Sequence, residues 1–330
     1  MKKIRFLIIS VTIAGIICSC TQSSSPIENA SNDLNQWNDT QAKASIQKFV
    51  ETVTDETNPF FLPVEDRVAV FDMDGTILLE KPNYVLFDFA IRKMMEQIDS
   101  NPALKQKQPY KAIYEQDRAY FNSTDMFDDA GLYSVLLYAT DGYTNNQYRE
   151  AILEYFKTVK DKRYNKPYNQ LVYSPIVQLI QYLKKHQFDI YIVSGSDPQF
   201  TRIFCEDAAK IPVKNVIGTT ILTKWIETDT MSYFVREHKF VMPINDEAGK
   251  PVNILNKIGK VPVLAVGNST GDYHMLEYSK NAPYSLQMIV NHDDSVREYN
   301  YHAENMKILC QEKGWQEISM KNDFKVIFND

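Results

Sequence analysis

Past residue 60 the apolar positions fall into two rhythms. Short, nearly continuous apolar runs at 67–71, 188–193 and 261–266 each end in a polar cluster. Such runs suit strands buried on both faces of a parallel sheet. Elsewhere the spacing is helical. Ile46, Phe49, Val50 and Val53 lie at i, i+3, i+4 and i+7, which predicts an amphipathic helix over 37–54 that ends before Pro59 and Pro63. Further helices are predicted at 84–98, 109–120, 130–138 and 146–159. Ser174-Pro175 supplies an N-cap and a first-turn proline for a helix to about His186. Pro198 opens another helix, and Lys250-Pro251 starts one that runs to Ile258. Strands are expected at 216–222 and 285–290, and a hairpin within 225–241.

Repeated alternation of strand and helix predicts an α/β fold, a Rossmann-like doubly wound parallel sheet. In such sheets ligands bind beyond the carboxyl ends of the strands. The polar clusters fall there: Asp72-Met-Asp-Gly-Thr76, Ser194-Gly-Ser-Asp197 and Gly267-Asn-Ser-Thr-Gly-Asp272. The block 78–173 reads as a helical cap inserted after the first strand. Residues 37–77 and 174–330 then form the core.

The first residues do not belong to the fold. Lys2, Lys3 and Arg5 precede an apolar run from Phe6 to Cys18, too short for a comfortable membrane span and built like a signal peptide. Ile17-Cys18-Ser19-Cys20 resembles the lipobox of bacterial lipoproteins, with Cys18 an unusual middle residue. The resemblance implies a signal peptide at 1–19, an acylated Cys20, a polar tether at 20–36 and a place in the bacterial cell envelope, periplasmic or at the outer membrane, held through a lipid anchor. Composition adds exclusions. The chain has 330 residues and a net charge of −6, so a basic face for nucleic acid is not expected. Beyond Cys20 the remaining cysteines are Cys205 and Cys310, and buried thiols are the expectation for them.

Asp72 and Asp74 are two apart, so at an extended strand end both side chains face one way and Met73 the other. A carboxylate can attack phosphorus, and a second can move protons. Asp72-x-Asp-Gly-Thr76 after an apolar strand, Ser194 closing a second strand, Lys250 opening a later helix and Gly-Asn-Ser-Thr-Gly-Asp272 resemble, in that order, the four motifs of the haloacid dehalogenase superfamily over about residues 60–300. The resemblance implies a Mg²⁺-dependent phosphatase acting on small phosphomonoesters through an aspartyl-phosphate. Asp72 would be the nucleophile and Asp74 the acid and base. Ser194 and Gly195 would bind phosphoryl oxygens, and Lys250 would neutralise charge. Asp72, Asp74 and a side chain of the last motif, Asn268 or Asp272, would hold the metal. The usual aspartate of that motif is Asn268 here. A closer likeness, in Glu80-Lys-Pro, His292-Asp-Asp and Gly314-Trp315, is to an envelope branch grouped with phosphoserine-phosphatase-like hydrolases.

Several positions stay open on sequence alone. Lys257 is a rival for Lys250. Asp272 could simply cap a helix at 273–278. Glu80 and Tyr84 are candidates for the pocket wall. His274 and His292 read as surface or rim residues, and Asp293-Asp294 as a helix start. A phosphomutase shares every motif, and an inactive phosphate-binding lipoprotein would retain the pocket.

Overall fold

The computed structural model describes residues 33–123, 131, 133–301 and 303–329. The leader, Cys20 and most of the tether lie outside these residues. Leu34 onward forms one compact unit. Eight strands are present among the described residues: β1 (Val68–Phe71), β2 (Asp189–Val193), β3 (Val216–Ile217), β4 (Ile221–Glu227), β5 (Ser232–Phe240), β6 (Leu264–Gly267), β7 (Leu286–Asn291) and β8 (Gln316–Ser319). Six form a sheet in the order β3-β2-β1-β6-β7-β8, and every pairing in it is parallel. β4 and β5 pair separately as an antiparallel hairpin.

β1 shows why its run is continuously apolar. Ala69 and Phe71 belong to the apolar cluster on one face of the sheet, with Ile176, Leu179 and Leu183 of helix Ser174–Lys185. Val70 belongs to the other cluster, with Ile254, Met275, Leu276, Met306 and Cys310. Alternate side chains thus enter two cores, and no position is left for a polar residue. Cys205 and Cys310 are both buried and free, one in each cluster.

The chain runs outward from β1 to β2 and β3, then returns to β6 on the other side of β1. The order therefore switches between β1 and β6, where the ligand crevice of a doubly wound sheet lies. Helix Gln41–Thr54 buries Ile46, Phe49, Val50 and Val53 as its spacing predicts, each burial worth about 1.5–3 kcal/mol. Trp37 is not helical. It bridges Phe324 in extended backbone, and its indole donates to the Pro175 carbonyl.

Between β1 and β2 the chain forms helices at Val85–Ser100, Tyr110–Glu115, Arg118–Ser123, Ser134–Thr140 and Asn145–Thr158. The predicted helix at 109–120 is broken, because Gln116 takes the left-handed conformation that ends a helix. The two ends of the segment meet: Leu78 bridges Val172, and the Leu79 amide donates to the Leu171 carbonyl. Ser174 does not cap its helix; its hydroxyl bonds Gln36 and Asn329. The strand expected at 216–222 is two strands. β3 stays in the sheet, and β4 leaves it for the hairpin, which joins the inserted helices through a Thr144–Val235 bridge. Asp293 and Asp294 start no helix; Asp294 caps a turn by accepting the amides of Val296 and Arg297.

Candidate active site

Asp72-Met73-Asp74-Gly75-Thr76 leaves β1 as a tight loop. Gly75 has φ of +77°, and a Cβ there would overlap the side chains of Asn268 and Glu80. Glycine is therefore the residue this approach requires. Asp72 and Asp74 both line one cavity of about 120 Å³. Met73 points into the core, where its sulfur accepts the Thr201 hydroxyl.

Lys250 reaches the loop from helix Gly249–Ile258. Its Nζ lies 2.7 Å from Asp72 Oδ1 and 2.6 Å from Asp272 Oδ1, and all three side chains are buried. Burial alone would favour a neutral lysine; the two carboxylates overcome it and hold the ammonium charged. Asp72 is pushed well above the carboxylate range by burial and by the charge of Asp272, with Lys250 opposing. Lys257, the rival, is exposed.

Asp272, expected among the metal ligands, is placed otherwise. Its Oδ1 is taken by Lys250 and its Oδ2 by the amides of Asn268 and Ser269, at 3.0 and 3.1 Å. It is not on the cavity wall. Its work is to anchor the lysine and cap the turn. Asn268 is on the wall. Its Nδ2 donates to Glu80 Oε2 at 3.3 Å, and its Oδ1 and Asp72 Oδ2 both lie within 3.5 Å of the Thr76 hydroxyl. A carboxylate oxygen and an amide oxygen thus converge at the mouth of the Gly75 turn. Such hard oxygen donors suit Mg²⁺. Among the described residues no three Asp, Glu, His or Cys side chains form a metal cage.

Ser194, expected to touch phosphate, is fully buried behind the wall, where its hydroxyl accepts the Ser196 amide at 3.0 Å. Gly195 and Ser196 take the wall positions. The Ser196 hydroxyl donates to Asp74 Oδ2 at 2.8 Å, while Asp74 Oδ1 is buried with no hydrogen-bond partner. Burial pushes the Asp74 carboxyl up to about 7, against the lowering effect of Ser196. It is poised to give and take a proton near neutrality.

Glu80 and Tyr84 do line the cavity, and Glu80 pairs with Lys81 at 3.1 Å. His292 is no rim residue. It is 2% exposed, with Nε2 at 2.7 Å from the Gly75 carbonyl and Nδ1 at 3.0 Å from Glu298. A carbonyl only accepts, so Nε2 donates to it, and the ring braces the Asp72–Thr76 loop. Sequence reasoning also missed Asp246, Phe87 and Tyr133. Asp246 lies four residues before Lys250 and could have been found from that; no sequence signal places Tyr133.

Paired buried carboxylates at the switch point of a parallel α/β sheet, with a buried lysine across from them, mark this cavity as the candidate active site of an α/β enzyme. The chain belongs to the haloacid dehalogenase-like hydrolase family, whose profile matches residues 69–277. A protein of unknown function from Anaerococcus prevotii shares the fold at a TM-score of 0.53, with 16% identity over 84% of this chain and 91% of its own. A phosphoserine phosphohydrolase-like protein from Francisella tularensis aligns at 0.42, with 17% identity over 74% and 92%. A haloacid dehalogenase family hydrolase from Salmonella enterica serovar Typhi aligns at 0.41, with 15% identity over 76% and 66%. No curated protein matches the sequence significantly. Among the described residues no helix is long and apolar enough to cross a membrane.

Proposed function

We propose that the protein hydrolyses small phosphomonoesters, with Asp72 as nucleophile. The observation that carries this is the division of labour between the two aspartates. Asp72 has one oxygen tied to Lys250 and the other turned toward Asn268, while Asp74 keeps an unpartnered buried oxygen and a carboxyl shifted to about 7. Asp72 attacks phosphorus as the bond to the leaving oxygen breaks, and Asp74 gives that oxygen its proton. Asp74 then takes a proton from the water that attacks the aspartyl-phosphate, which releases phosphate and restores Asp72. Lys250 and the Gly195–Ser196 backbone offset charge on the phosphoryl oxygens. Asp72, Asn268 and the Asp74 carbonyl would hold Mg²⁺, which would supply positive charge to offset that of the phosphoryl group.

Residues 78–173 act as the cap in this reading, and the β4–β5 hairpin supports it from the core side. Acylation at Cys20 would tether the enzyme to the cell envelope. The test is hydrolysis of 4-nitrophenyl phosphate by the purified protein with Mg²⁺. Turnover should vanish in EDTA and return with Mg²⁺. Asp72→Asn should abolish it at unchanged circular dichroism; wild-type turnover in that variant would refute the mechanism. An inactive phosphate binder would show no turnover in any condition, and a phosphomutase would move label between positions of a sugar bisphosphate.

A further inference from the structure

One wall of the cavity has an unusual charge pattern. Tyr84, Phe87 and Tyr133 form a continuous aromatic wall, with ring centroids 6.1 Å apart for Tyr84–Phe87 and 6.0 Å for Phe87–Tyr133, both edge to face. Beside it stands Asp246, half-buried, whose Oδ2 accepts the Tyr133 hydroxyl at 2.9 Å. Asp246 has no ion-pair partner among the described residues, whereas Glu80 is paired with Lys81. Lys250, committed to Asp72 and Asp272, is the one basic side chain on the described wall.

A leaving group that bears a carboxylate, such as serine, would meet Asp246, and the cation beside the wall, Lys81 at 5.2 Å from the Tyr84 ring centre, is paired with Glu80. A leaving group that bears an ammonium would meet a carboxylate and aromatic faces, both of which attract it. A cavity of about 120 Å³ suits a short leaving group.

Resting on the phosphatase reading, we infer that the substrate is the phosphomonoester of a short amino alcohol without a carboxylate, its ammonium seated between Asp246 and the Tyr84–Phe87–Tyr133 wall. The ammonium is not part of the chemistry; it holds the leaving oxygen in place for proton transfer from Asp74.

The experiment uses the full chain with Mg²⁺. Its kcat/KM is measured on ethanolamine phosphate, phosphocholine, glycerol 3-phosphate, phosphoserine and 4-nitrophenyl phosphate. The two cationic esters should exceed glycerol 3-phosphate and phosphoserine by about tenfold or more. Asp246→Asn and Phe87→Leu should each shrink that ratio. Phosphocholine above ethanolamine phosphate gives the aromatic wall the larger share and the reverse order gives it to Asp246; either supports the assignment. Phosphoserine or glycerol 3-phosphate at the rate of the cationic esters overturns it, even with hydrolysis intact. Calorimetric binding of the same four natural esters to Asp72→Asn reads the preference without turnover. If 4-nitrophenyl phosphate is not hydrolysed, the phosphatase reading falls, and the binding order alone decides the subsite.

Discussion

Arg236 on β5 ties three parts of the molecule together, and its loss has a calculable cost. It is 2% exposed. Its Nη2 donates to Asp197 Oδ2 at 2.6 Å and its Nε to Thr140 Oγ1 at 3.2 Å, and its guanidinium lies 3.7 Å from the centre of the Tyr148 ring. Thr140 and Tyr148 belong to the inserted helices; Asp197 caps the helix that follows Ser194-Gly195-Ser196. Arg236→Ala leaves Asp197 buried and charged without its cation, which costs about 3–5 kcal/mol. The folded unit spans Leu34–Asp330. With about 300 residues at roughly 2.1 cal/mol/K each, the unfolding entropy is about 0.6 kcal/mol/K, so the midpoint should fall by about 5–8 °C. Melting followed by circular dichroism measures it. The double variant Arg236→Met with Asp197→Asn removes both charges while the amide can still cap Gln199, so it should recover most of the loss. A fall below about 2 °C for the single variant, or a double variant as unstable as the single, would refute the claim that a desolvated ion pair locks hairpin, insert and phosphate loop.

Two more expectations follow from the site and the leader. Ser196→Ala removes the hydroxyl that stabilises ionised Asp74, so the Asp74 carboxyl should rise above about 7 and the acid limb of the kcat profile should move to higher pH. The rate at neutral pH should fall about tenfold, matching one hydrogen bond to a charged group; a pH profile identical to wild type would remove Ser196 from the site. Cys20→Ser should abolish incorporation of a fatty-acid probe in cells, and equal label in variant and wild type would reject acylation at that residue.

The fold was legible because its strands are buried on both faces. β1, β2 and β6 read as apolar runs, and each hands a polar cluster to the same edge of the sheet. β8 escaped because only two of its four residues, Ile318 and Ser319, are buried, and because Gln316 and Glu317 break the apolar run at an edge strand. The parting of β3 from β4 was hidden because β-branched residues flank Gly218 on both sides and the stretch serves two sheets. At the site, Asp72, Asp74, Lys250 and Asn268 came together as their motifs imply. The misplacements have one common cause. Ser194 and Ser196 are chemically alike and two apart, the oxygen donors Asn268 and Asp272 lie four apart in one turn, and only the path of the backbone decides which of each pair reaches the cavity. His292 lies some 200 residues from the carbonyl it braces, a contact that no local pattern encodes.

Asn268 in place of an acid is accounted for by its neighbours. Asp72, Asp74, Glu80 and Asp272 are buried carboxylates, and Lys250 and Lys81 are the ammoniums paired with members of that group. Before any cation arrives the cluster thus sets four carboxyl groups against two ammoniums. The Nδ2 of Asn268 is a donor, and it faces Glu80 Oε2 at 3.3 Å. An aspartate there would set a second anion against Glu80; at about 4 Å and an effective dielectric of about 20, that repulsion is on the order of 4 kcal/mol. The amide thus supplies an oxygen toward Asp72 and a proton toward Glu80, which no carboxylate can do when ionised. Asn268→Asp should therefore lower the melting temperature of the metal-free protein and bind Mg²⁺ more tightly, about tenfold or more by calorimetric titration, because the cation relieves the added repulsion. Adding Glu80→Gln should restore metal-free stability and remove much of the gain in affinity. If Asn268→Asp leaves both the metal-free melting temperature and the Mg²⁺ affinity unchanged, residue 268 is neither a metal ligand nor in electrostatic contact with Glu80, and the oxygen pair at the Gly75 turn is not the metal site.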